Sequence, residues 1–189
     1  MNRLHRWYCR SGHWGRTVRE RLLPWVLDSV SLGADVLEIG PGPGLTTDAL
    51  QERVPRLTCV EIDPRLAESL ARRKRGTHVE VLEADATALP FAAGRFSAAV
   101  SCTMLHHVPS PEQQDRLLAE VARVLAPGGW FVGSDSLTSP LFRLVHWGDT
   151  LVPVDPESLP RRLGRAGFER IDVRRAGGTF RFRAVRAAR

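Results

Sequence analysis

Lysine is almost missing from this chain of 189 residues: Lys74 is the only one, so nearly all the positive charge behind a formal net charge of +6 is arginine. Cysteine is scarce as well. Cys9, Cys59 and Cys102 are odd in number, far apart and without C-x-x-C spacing, so they imply no metal site. Cys59 and Cys102 fall in strand-like runs and read as buried, reduced thiols, which makes a reducing cytoplasm the expected compartment. No apolar run approaches the roughly 18 residues that a membrane span needs, and residues 1–10 are basic without the apolar core of a secretory signal. Acids are absent before Glu20, as in a transit peptide, but Leu4, Trp7 and Tyr8 at helical spacing suit a docking helix better, within an N-terminal helical cap over residues 1–30. No internal repeat, low-complexity run or interdomain linker interrupts residues 31–189, which are long enough to bury a core as one domain.

The arginines are spread along the chain and thicken after Arg170. Arg181 and Arg183 alternate with Phe180 and Phe182, the pattern of a half-buried strand with a solvated outer face. A basic balance can also mark a phosphate-binding surface. The solvated face is the expectation, and nucleic acid is not an expected partner. Nothing in the sequence reports an oligomeric state.

Strand-like and helix-like segments alternate, which argues for an α/β fold with a parallel sheet. Residues 12–30 carry a helical stripe of Val18, Leu22, Leu23, Val26 and Leu27, interrupted by Pro24. Strands are predicted at 35–39, 57–62, 79–82, 96–102 and 130–134. Asp63-Pro64 opens a helix with an N-cap and a proline in its first turn. Ser110-Pro111-Glu112-Gln113 opens another with a capping-box pattern, and Pro127-Gly128-Gly129 stops it. After Asp135 the alternation breaks into an irregular segment, 137–153. A helix at 156–166 comes next, then two strands, 169–175 and 179–185, joined by Gly177-Gly178 as an antiparallel hairpin.

The most informative stretch is VLEIGPGPGLTT at 36–47, an apolar strand that runs into glycines at alternate positions and then into a helix. Gly40, Gly42 and Gly44 mark a sharp turn that leaves room for a ligand. Such a strand–loop–helix unit opens a nucleotide site at the carboxyl end of a parallel sheet. The dinucleotide fingerprint G-x-G-x-x-G needs a glycine where Leu45 stands, so the spacing argues against NAD. Glu61 lies about twenty residues beyond the loop, at the end of the second strand, where a carboxylate can accept both hydroxyls of a ribose. Its alternative, a charge at the helix start, is already supplied by Asp63. Ile62 is placed to lie against an adenine. Asp85 is placed to accept from the adenine amino group, with the Ala86 amide near the ring; a helix-capping role is the alternative for Asp85.

Taken together, VLEIGPGPG, CVEID, EADATALPF, FSAAVSCTMLHHV and LAPGGWFVGSDS resemble, in order and spacing, the class I S-adenosylmethionine (SAM) methyltransferases. The resemblance is nearest to the small-molecule branch with the ubiquinone and sterol methyltransferases, and it covers about residues 30–175. It implies a Rossmann-like, doubly wound, seven-stranded sheet in a single domain, mostly parallel with an antiparallel last strand. It also implies SAM as cofactor, held by Glu38, the Gly40–Gly42–Gly44 loop, Glu61, Ile62, Asp85, Ala86 and the Cys102 backbone. Pro41 and Pro43 stiffen the loop as in the adenosine dimethylases of ribosomal RNA, which share an E-I-G-P-G start. After strand four, however, the chain reads Ser101-Cys102-Thr103-Met104-Leu105 and lacks the N-P-P-aromatic motif that holds an adenine amino group.

Methyl transfer from a sulfonium needs positioning and water exclusion, and a base only when the acceptor must lose a proton. His106, His107 and Asp135 are the candidates, with His13 behind them. Neighbouring residues cannot both face the site, so at most one of the two adjacent histidines does, and structural roles are the competing reading for all. The segment 137–153 stands where this family builds its acceptor lid. Its Phe142, Trp147, Leu151 and Val152 suggest a small apolar or aromatic acceptor, with Tyr8, His13 and Trp14 closing the other side. The expectation is a SAM-dependent methyltransferase of such an acceptor. The alternatives are an RNA or protein methyltransferase using the basic C-terminal face, and a SAM-binding regulatory module.

Overall fold

The structure is a computed structural model that describes residues 11–188. The docking helix expected around Leu4, Trp7 and Tyr8, and the Cys9 thiol, lie outside the described residues. The seven strands are β1 (Asp35–Ile39), β2 (Arg56–Glu61), β3 (Val79–Glu83), β4 (Phe96–Cys102), β5 (Leu125–Ser136), β6 (Phe168–Ala176) and β7 (Thr179–Arg186). They form one sheet in the order β3-β2-β1-β4-β5-β7-β6. The pairs among β1 to β5 are parallel, and β7 runs antiparallel to both of its neighbours. The doubly wound sheet with its antiparallel last strand is therefore as the sequence implied.

Period-two alternation sorts side chains onto the two faces of the sheet. On one face Leu37, Ile39 and Phe131 pack against Leu117 and Val121 of α5 (Pro111–Val124) and Leu163 of α7 (Leu159–Ala166). On the other, Val36, Val100 and Val132 pack with α3 (Leu45–Leu50), α4 (Pro64–Arg73) and the N-terminal helices. Those helices are α1 (Gly12–Thr17), a π-helical turn (Val18–Leu22) and α2 (Leu23–Leu27). The three form one continuous helical run, and Pro24, which has no N–H to continue the ladder, falls directly after the π-helical turn. Val18, Leu22, Leu23 and Val26 are all buried in this core, so the stretch 12–27 packs on the sheet.

Two expectations are corrected by the packing. Arg181 and Arg183 do not form a solvated face, because both are buried. Arg181 donates to the Trp25 carbonyl at 2.5 Å, and Arg183 donates to the Val26 and Trp25 carbonyls at 3.0 and 2.9 Å. The guanidinium groups thus satisfy the open carbonyl end of α2, where positive charge is favoured, and Asp28 supplies a counter-charge 3.4 Å from Arg183. Pro127-Gly128-Gly129 is also not a break ahead of the strand. Leu125 already pairs with Phe96, and the next residues bulge out before Trp130 pairs with Ala98.

Candidate functional site

The carboxyl ends of the parallel strands open onto a cavity of about 500 Å³. The glycine loop forms one wall. Gly40, Gly42 and Gly44 all have positive φ, the left-handed region that glycine reaches at low cost. A Cβ on Gly40 would lie 2.1 Å from Met104 Cγ, and one on Gly44 would lie 2.4 Å from Leu70, while Gly42 faces open space. Gly40 and Gly42 line the cavity and Gly44 does not; its need for glycine comes from the packing of α4 beneath the loop. Arg73, near the end of α4, braces the same loop by donating to the Pro43 carbonyl at 2.8 Å and to both Asp48 oxygens at 2.6 and 2.7 Å.

Glu61 ends β2 beside the loop. Its Oε2 accepts from the Gly42 amide at 2.9 Å and its Oε1 from the Asp63 amide at 3.0 Å. The carboxylate therefore locks the glycine loop to the start of α4 while still lining the cavity. Burial raises its pKa, and the two amides oppose that rise. Ile62 beside it is 67% exposed inside this wall, an apolar face available to a flat ring. Asp85 and Ala86 line the next wall. Asp85 Oδ1 accepts from the Thr87 amide at 2.8 Å, so the capping role exists alongside the exposure to the cavity.

Glu38 is not brought to the cavity. Its carboxyl is buried under the loop, where it accepts from Thr47 Oγ1 at 2.6 Å and from Cys59 Sγ at 3.3 Å. Burial pushes its pKa up to about 7. Its place in the site is indirect: it anchors α3 at the point where the chain leaves the glycines. Cys102 lines the cavity at the end of β4, and burial raises its thiol to about 12, so it is a neutral thiol rather than a nucleophile. Cys59 and Cys102 are both free thiols. Thr103 follows at φ 52, an unusual conformation for a β-branched residue, and its amide is held by the Ser134 carbonyl at 2.8 Å.

Of the two adjacent histidines, His107 lines the cavity and His106 does not. His106 is buried, with Nδ1 2.5 Å from Asp135 Oδ1 and its amide donating to Asp135 Oδ2 at 3.1 Å. Asp135 is itself fully buried and tied up by these bonds, which takes it away from acceptor chemistry. His106 Nε2 lies 3.2 Å from Nε2 of His146, a residue that no sequence motif singles out because forty positions separate the two.

Among the described side chains of the segment 137–153, Thr150 is the one that lines the cavity. Trp147 is 81% exposed and lies outside the wall, and Phe142, in α6 (Pro140–Val145), packs its ring on His106 and His146. Val152 pairs with the His106 carbonyl. The described side chains of the segment thus pack mainly on the histidines, with Thr150 reaching the cavity, and Trp147 is not the lid residue expected of it. Trp14 of α1 does line the cavity, whereas His13 does not; Tyr8 lies outside the described residues. Thr46, Met104 and Val108, which stand inside the quoted motifs without having been singled out, also line it, as does Leu117 of α5.

A family model described as "Methyltransferase domain" matches residues 37–133, the stretch from β1 through the glycine loop to the middle of β5. The chain is 36% identical over 145 residues to the ribosomal RNA small subunit methyltransferase A of Leptothrix cholodnii, covering 67% of this chain and 52% of that protein. It is 29% identical over 179 residues to 2-methyl-6-phytyl-1,4-hydroquinone methyltransferase 2, chloroplastic, of Oryza sativa subsp. japonica, covering 93% of this chain and 50% of the relative. The chain therefore spans about half the length of these curated relatives. Among solved structures, the N-methyltransferase NodS of Bradyrhizobium japonicum, in complex with S-adenosylhomocysteine, superposes with a TM-score of 0.73 at 22% identity, covering 95% of this chain and 91% of that one. The motif order, the strand order and the matched family model agree, and the chain belongs to the class I SAM-dependent methyltransferases.

Proposed function

We propose that the protein transfers a methyl group from SAM to a small apolar or aromatic organic acceptor. The observation that carries this reading is the division of one cavity into two chemically different parts. Toward β1–β3 its wall is the glycine loop, the Glu61 carboxylate, the exposed Ile62 side chain and the Asp85–Ala86 turn, groups suited to ribose hydroxyls and an adenine ring. Toward β4 and α5 it is Met104, Val108 and Leu117, with Trp14 also in the lining and Thr103, His107, Gln113 and Thr150 as the polar groups. The first part suits the nucleoside of SAM, and the second an acceptor that is mostly apolar with one polar handle. The hydroquinone methyltransferase relative, matched over nearly the whole of this chain, supports that acceptor class. Rate enhancement here comes from holding donor and acceptor in line and excluding water.

A second reading, methylation of RNA, is favoured by the identity to the ribosomal RNA methyltransferase. Two features oppose it. The Cys102-Thr103-Met104-Leu105 run after β4 has no asparagine or proline to hold a base amino group, and Arg181 and Arg183 are spent on α2. The test is a SAM methyl-label assay on hydroquinone and phenol acceptors in parallel with total RNA. Label in the quinol fraction supports the proposal. Label confined to RNA, with binding that falls steeply with salt, replaces it with the second reading.

A further inference from the structure

His106, His107 and His146 bring one ring nitrogen each to within 4.8 Å of one another. The hydrogen bonds assign which nitrogen. Nδ1 of His106 faces a carboxylate oxygen of Asp135 at 2.5 Å, Nδ1 of His107 faces the Thr150 carbonyl at 3.3 Å, and Nδ1 of His146 faces the Phe142 carbonyl at 2.8 Å. Carbonyl oxygens only accept. Asp135 also takes the amides of His106 and Ser136, at 3.1 and 2.7 Å, so it acts as an acceptor throughout. Each Nδ1 therefore donates, and in a neutral ring each Nε2 carries the lone pair. Two of those lone pairs, on His106 and His146, point at each other across 3.2 Å. Two ring nitrogens come that close when a proton or a metal ion lies between them.

We propose that His106, His107 and His146 bind a divalent first-row transition ion, zinc above all, which clamps the segment 137–153 to the carboxyl ends of β4 and β5. A bare proton would also bridge two rings, but it gives no reason for a third to converge. Zinc–nitrogen bonds of about 2.0–2.1 Å in a tetrahedron set ligand nitrogens roughly 3.3 Å apart, close to the separation of His106 and His146; a rotation of the half-buried His107 brings in the third. The supporting shell fits too: metal-binding histidines characteristically donate their other N–H to a carboxylate or a backbone carbonyl, and all three here do so. His107 lines the cavity, which provides an entry path. The clamp is consistent with the fold around it, since His146 follows α6 while His106 follows β4 and Asp135 lies in β5.

The test uses the full chain without a histidine tag, stripped by chelator, then titrated with zinc by calorimetry and with cobalt(II) as a visible-absorption probe. One equivalent of zinc is expected, with the intense cobalt bands of a four-coordinate site. His146→Gln should lower zinc affinity by about 100-fold or more by removing a ligand. Asp135→Asn should lower it about 10- to 100-fold by loosening the His106 ring. His107→Gln serves as the second ligand variant if His146→Gln misfolds by circular dichroism, and His78→Gln, outside the cluster, should bind as wild type does. Absence of stoichiometric zinc binding, or a cobalt spectrum unchanged in a folded His146→Gln or His107→Gln protein, overturns the proposal. So does an NMR signal for a proton shared by His106 and His146 that persists under excess zinc.

Discussion

Glu38→Gln isolates one buried charge and its dependence on pH. The Glu38 carboxyl is buried between β1 and α3, with Thr47 Oγ1 and Cys59 Sγ donating to it. Desolvation outweighs those bonds and raises its pKa from 4.5 to about 7. In the unfolded chain the carboxyl ionises near its ordinary value, while in the fold it keeps its proton until about pH 7. Between those values the folded state binds more protons than the unfolded one, so stability must fall as pH rises through the window and then level off. The shift of about 2.5 units corresponds to roughly 3 kcal/mol in full, of which about 2–3 kcal/mol is lost between about pH 5 and about pH 8. Glutamine keeps an acceptor for Thr47 and carries no charge, so its stability should lack this fall. The assay is urea denaturation of wild type and variant at both pH values, read as a double difference that cancels every other titrating group. Parallel pH profiles for the two proteins would refute the assignment of a buried, protonated Glu38.

Two further outcomes rest on the geometry. Glu61→Ala should weaken S-adenosylhomocysteine by about 1.5–3 kcal/mol, the scale of a charged hydrogen bond, because it removes the proposed ribose acceptor and leaves the Gly42 and Asp63 amides without their carboxylate; unchanged affinity by calorimetry in a folded variant would move the ribose contact elsewhere. Arg183→Ala should cost about 1.5–3 kcal/mol of stability by stripping the Val26 carbonyl of its side-chain donor and leaving the Trp25 carbonyl to Arg181 alone. Its hydrogen exchange should accelerate across α1 and α2 first, and uniform acceleration across the sheet would count against a local tether.

Alternation and punctuation were enough to read the architecture. A parallel strand buried on both faces shows as a short apolar run, and β1, β2 and β4 show as such; caps such as Asp63-Pro64 and Ser110-Pro111 mark helix starts because they answer a local need of the backbone. The glycine loop was legible for the same reason, since positive φ and close approach are demands on single residues. So was the position of Glu61, which the βαβ unit places at a strand end. Long-range partnership was not legible. Arg181 and Arg183 alternate with phenylalanines as an exposed face would, and only the packing of α2 against β7 reveals that their guanidinium groups meet carbonyls more than 150 positions away. Glu38 stands in the motif, yet the fold turns it beneath the loop because its strand position faces α3 and not the cavity. Trp147 looked like a lid and faces out. Sequence order carried the local conformations, while the meeting of His106, Asp135 and His146 depended on strand register and on the path of one irregular segment, which no local pattern encodes.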